Sequence, residues 1–83
     1  MDYYLINKNL SLKAKGLLDL IRFLNEQQIK ITVEIIASLT KDSYTSIRSG
    51  LKELEANNYL VISRKKSDQG YFYFDYEVKE VIE

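Results

Sequence analysis

Residues 43 to 52 read SYTSIRSGLK, and their chemistry is suited to recognition more than to reaction. Ile47, Leu51 and Leu54 recur at helical spacing as a buried stripe, so the opposite side of that helix presents Tyr44, Thr45, Arg48, Ser49 and Lys52. A guanidinium such as that of Arg48 makes paired hydrogen bonds to the edge of a guanine. The hydroxyls of Ser43, Tyr44 and Thr45 and the ammonium of Lys52 suit phosphate oxygens, contacts that position a partner without reading its sequence. The competing use of the same residues is as the solvated side of an amphipathic helix.

A second group of cations, Arg64, Lys65 and Lys66, follows a β-like run. Those three side chains suit either a grip on phosphates or gatekeeping charge at the end of an exposed strand. Lys13 and Lys15 offer a further backbone contact, although solubility alone accounts for them.

Catalytic chemistry has little to work with. The chain contains no cysteine and no histidine, which excludes disulfides, thiolate chemistry, the usual zinc sites and any Ser-His or Cys-His nucleophile. Asp19, Glu26, Glu53 and Glu55 fall on polar helix faces and read as solvated charge, and no calcium-loop or phosphate-loop spacing occurs. The expectation is a protein that is not an enzyme and uses neither cofactor nor metal.

Twelve basic residues balance twelve acidic ones, which by itself argues against a nucleic-acid partner. The average conceals a gradient. Residues 41 to 66 carry six cations against three anions, a local +3, whereas residues 67 to 83 carry a local −4. Positive charge lies where the recognition-type residues lie.

The elements that must position these groups form one unit spanning residues 1–83. There is no proline, repeat or low-complexity tract to mark an internal boundary, and 46% hydrophobic with 29% charged residues is ordinary globular composition. A chain of 83 residues hides only about 60 to 65% of its unfolded surface, so its stability is modest. No apolar run reaches the length of a membrane span, and MDYYLINKNL lacks the pattern of a signal peptide, so a cytoplasmic location is expected.

YYLI, residues 3 to 6, reads as a short edge strand. Ser11 caps a first helix whose stripe is Ala14, Leu17, Leu18, Ile21 and Leu24. Gly16 within it marks either close approach of another backbone or a tolerated glycine. Thr32 caps a second helix, VEIIASL, with Ile36, Ala37 and Leu39 inward; Ser43 or Asp42 caps the third, which ends at Asn57 and Asn58. YLVISRKK and YFYFDYEV then form a hairpin around SDQG, with Leu60 and Ile62 on its core face opposite Phe72, Phe74, Tyr76 and Val78.

Helix, helix, short turn, helix, hairpin is the order of an α+β winged helix-turn-helix domain, and IASLTKDSYTSIRSGLKELEANNYLV resembles its signature. Together with NKNLSLKAKGLL, nearly the whole chain is similar to the domain found near the N-termini of phage and plasmid replication initiators and replisome organisers. Lys41 stands where glycine is frequent in that family, Asp42 replaces an apolar residue, and Asn58 replaces the glycine before YL. The resemblance implies binding of double-stranded DNA, with the third helix in the major groove and the hairpin on the backbone, in replication initiation or transcriptional regulation. A winged helix that binds protein instead is the alternative, motivated by zero net charge, the acidic DYEVKEVIE end and seven tyrosines. Tyr3, Tyr4, Tyr71 and Tyr73 suit stacking on bases, an aromatic subunit interface or partial burial in a small sheet. A homodimer formed through DYYLI and EVKEVIE, using Val78, Val81 and Ile82, is also expected.

Overall fold

A computed structural model describes residues 4–79. It has three α-helices, α1 (Leu12–Glu26), α2 (Val33–Leu39) and α3 (Tyr44–Ala56), followed by a hairpin of β1 (Leu60–Lys66) and β2 (Phe72–Val78). The architecture is α+β in the winged-helix layout. Val81 and Ile82, assigned above to a dimer contact, lie outside the described residues, as does Tyr3. Among the described residues no helix is long and apolar enough to cross a membrane.

Each helix starts where a hydroxyl replaces a missing backbone partner. Ser11, Thr32 and Ser43 all sit in extended backbone and accept hydrogen bonds from the N–H groups of Ala14, Ile35 and Ser46. The helices also stop by a shared device. After α3, Asn58 takes φ 68°, its N–H bonds to the Glu55 carbonyl, and the Tyr59 N–H bonds to the Leu54 carbonyl. After α1, Gln28 at φ 60° does the same with Asn25, while Ile29 reaches Leu24. Asn suits the left-handed position, whereas Gln occupies it under strain.

The α2–α3 turn needs no glycine. None of its residues has positive φ, and the Thr40 hydroxyl accepts the Asp42 N–H at 3.2 Å, so Lys41 and Asp42 are accommodated without strain.

Ala14, Leu17, Leu18, Ile21 and Leu24 of α1 meet Ile36 of α2, Ile47, Leu51 and Leu54 of α3, and Leu60 of β1 in one core. Gly50 makes room on α3 for the Leu17 side chain of α1. A Cβ there would stand 2.8 Å from Leu17 Cδ2, whereas a Cβ at Gly16 would meet open space. Gly16 is therefore the tolerated glycine.

Three expectations are corrected. Tyr4–Ile6 is a turn of 3-10 helix, not a strand. The Asn7 N–H donates to the Tyr4 carbonyl and the Leu10 N–H to the Asn7 carbonyl, two successive turns that bury both Tyr4 and Leu10. The Tyr4 ring meets Tyr59 edge-on at 6.5 Å, and the Asn7 amide donates to the Tyr59 hydroxyl. Leu39 is 55% exposed because it falls off the Val33–Ile36–Ala37 stripe of so short a helix. Glu53 is not simply solvated: its carboxylate accepts hydrogen bonds from both the N–H and the hydroxyl of Ser11, pinning the start of α1 to α3.

The hairpin departs from expectation along its length. Leu60 pairs with Val78 and Ile62 with Tyr76, and this root packs on the core. Farther out on the same face, Arg64 pairs with Phe74 and Lys66 with Phe72, but Phe72 and Phe74 are 59% and 56% exposed rather than buried. The distal residues Phe72 and Phe74 face open grooves beside α2 and α3 in place of packed core neighbours, which leaves them exposed. Gly70, at φ 89°, closes the tip, where the Ser67 hydroxyl accepts the Tyr71 N–H.

Candidate nucleic-acid interface

Helix α3 turns the expected face outward. Tyr44, Thr45, Arg48, Ser49 and Lys52 are all exposed, while Ile47, Leu51 and Leu54 are buried beneath them. Ser43 is exposed too, but its hydroxyl is committed to capping. The Arg48 guanidinium lies 5.6 Å from the Tyr44 ring centroid one turn earlier, which orients it along the helix. Lys13 of α1 donates to the Ser49 hydroxyl at 3.3 Å, so the cationic row on α3 continues onto α1. Lys15 lies half-buried on α1, apart from that contact.

The hairpin adds a second wall. An open groove of about 230 Å³ runs between Arg48, Leu51 and Lys52 of α3 and Ile62, Phe74 and Tyr76 of the strands. A neighbouring groove of about 290 Å³ continues from Arg48 past Phe72, toward Thr32 and Glu34 of α2. Arg48 and the Phe74–Tyr76 edge border both. Two residues apart along β1, Arg64 and Lys66 share the face of Ile62, so strand alternation sends them to the groove side. The Arg64 guanidinium sits 4.1 Å from the Phe72 ring centroid, and Lys66 Nζ 5.7 Å from it.

Lys65 belongs elsewhere. Alternation puts it on the opposite face, opposite Tyr73 and bridged to Asp75 at 3.1 Å; the hydrogen bond and charge of Asp75 hold its pKa above the ordinary lysine value. The three wing cations are thus divided, two facing the groove and one neutralised behind it. The outer face also holds Glu77; Tyr73, though of that parity, lines the second groove with Lys30, whose Nζ lies 4.8 Å from its ring.

The electrostatics of the groove are mixed at one end. Tyr76 is held above the usual tyrosine pKa chiefly by burial, with Glu34 pushing the same way and Arg48 opposing both. Its hydroxyl therefore remains a neutral donor at the floor of the groove, and Glu34 supplies the acid on that side. Among the described residues no three carboxylates gather around a point that could hold a metal ion.

Sequence reasoning missed Phe72 and Phe74 as surface groups, since alternation alone assigned them to the core. The parity that separates Lys65 from Arg64 and Lys66 was legible, because Leu60 and Ile62 already define the inner face. A scan against protein-family models and searches of the curated proteins and of the solved structures found no match for this chain.

Proposed function

We propose that this chain is a DNA-binding module, with α3 entering the major groove and the hairpin lying along the backbone. One observation carries the reading. Arg48 and Lys52 on α3 border an open groove whose other wall is Ile62, Phe74 and Tyr76 of the hairpin, and strand parity puts Arg64 and Lys66 on that same hairpin face and the strand acids on the opposite one. Arg48 is the residue placed for a base edge, and Lys52, Arg64 and Lys66 for phosphates, with Tyr44, Thr45 and Ser49 as neutral donors beside them. The sequence resemblance favours replication initiation, and a transcriptional regulator would use the same surface.

The test is fluorescence anisotropy of labelled duplex DNA across a salt series. Three engaged phosphates, one each for Lys52, Arg64 and Lys66, give a slope of log affinity against log salt of about −2.7. A slope near zero, or no binding at low salt, would overturn the reading.

The protein-binding alternative draws on the exposed Phe72 and Phe74. One recognition helix with few cations binds DNA weakly alone, so pairing of two copies through the termini would supply the second half-site. Light scattering of the intact chain and of one lacking residues 79–83 tests that pairing: a monomer in both cases rules it out.

A further inference from the structure

The distal hairpin face is the largest feature that duplex binding leaves unexplained. Tyr71, Phe72 and Phe74 are exposed at the end of a hairpin whose inner face carries Arg64 and Lys66, while Asp75 and Glu77 point to the other side. Exposed aromatic rings interleaved with cations match a partner that has both negative charge and flat π-faces. Spacing narrows the choice further. Phe72 and Phe74 are two residues apart on one strand face, a separation of about 7 Å. Stacked bases repeat every 3.4 Å along each strand of a duplex. Neighbouring rings at roughly twice that interval can take successive bases only from a strand drawn out of its stack.

We infer that the hairpin tip stacks unpaired bases next to a duplex seated on α3, so that the preferred ligand is a junction between double- and single-stranded nucleic acid. Phe72 and Phe74 receive the bases of the unpaired strand, and Arg64 and Lys66, beside Phe72, hold phosphates where that strand leaves the duplex. Arg48 and Phe74 border both grooves, so the α3 face and the hairpin face adjoin. This inference rests on the DNA-binding reading above.

Three probes separate the two ideas: a blunt duplex, the same duplex carrying an oligothymidine tail, and the tail alone. The tail should tighten binding by about tenfold for each base that stacks. The pair Phe72→Ala and Phe74→Ala should abolish that gain and make the affinities for tailed and blunt duplexes equal, whatever the shared duplex affinity becomes, since Phe72 lies against Arg64 and Phe74 borders the groove. The chain has no tryptophan, so Phe74→Trp supplies a single tryptophan, excited selectively over the seven tyrosines, whose emission should be quenched by the tailed duplex and not by the blunt one. Equal affinity for tailed and blunt duplexes, or a tail preference that survives loss of both phenylalanines, overturns the junction inference and leaves duplex binding standing. Failure to bind any of the three probes at low salt removes both. If the double substitution instead converts a dimer to a monomer in light scattering with no change in DNA affinity, the face is a contact between copies and the inference is wrong.

Discussion

The root and the tip of the hairpin share two strands, one register and one face, yet they do opposite things. At the root Leu60 is 2% exposed and packs with Ile62, Tyr76 and Val78 on the helices. At the tip, Phe72 and Phe74 occupy equivalent positions and remain in solvent beside Arg64 and Lys66. Alternation along a strand says which side a residue faces and nothing about what waits there. The same apolar residue type is core where a helix packs against it and exposed surface where only an open groove separates it from the helices.

Stability should separate the two regions most sharply. Leu60→Ala, like Leu51→Ala on the facing helix, should cost about 2 to 5 kcal/mol in urea denaturation, enough to leave so small a domain largely unfolded. Phe74→Ala should stay within about 0.5 kcal/mol. Similar losses at both positions would mean that the tip is packed and the distinction is false.

Binding should reverse the order. Arg48→Ala, on α3 above the root, should weaken a specific duplex complex by about 1 to 3 kcal/mol and spare random DNA. Arg64→Ala at the tip should lower affinity for all duplexes alike and reduce the salt slope by about one. Lys65→Ala, with its ammonium held by Asp75 on the far face, should have the smallest effect of the three. A Lys65 effect as large as that of Arg64 would show that the tip does not use one face.

The start of α1 offers a control outside the hairpin. Glu53→Ala removes the carboxylate that holds the Ser11 N–H and hydroxyl and should cost about 1 kcal/mol, leaving the tip untouched. An unchanged urea midpoint would show that water replaces that clamp without loss.

The smallest effect is with pH. Burial keeps Tyr76 protonated in the folded state above its ordinary value of 10.0, where the unfolded chain has already released the proton. Its contribution to stability is therefore full below about pH 10 and declines as pH rises through the folded value. Lys65, raised from 10.5, acts in the same direction. Urea midpoints measured across this range should fall less steeply in Tyr76→Phe, and an unchanged slope would show that the root does not bury that hydroxyl.

What was legible in the sequence follows from range. The caps Ser11, Thr32 and Ser43, the left-handed Asn58 and Gly70, and the α1 and α3 stripes depend on neighbours within a few residues, and each was readable. Glu53 was not, since its partner lies 42 residues away, and nothing local distinguishes it from Glu55. Gln28 escaped notice because glutamine carries no signature for positive φ; only the helix end it completes reveals it. Phe72, Phe74 and Leu39 were misplaced because period alone does not report whether a neighbour packs against the residue. The residues chosen for recognition on α3 are exposed together, and those on β1 divide by parity.

Asn57, Asn58 and Tyr59 are all that separates α3 from β1, and Tyr59 is itself buried with Leu60 behind it. Helix and hairpin are thereby joined as one stiff bracket. A partner seated on α3 meets a hairpin already aimed, so association has little backbone left to order, and the cost of about 1 to 2 kcal/mol for each residue of a floppy wing is met at folding instead. Stiffness also selects: a surface whose width does not match the fixed gap between α3 and the strands finds no slack in the joint to accommodate it.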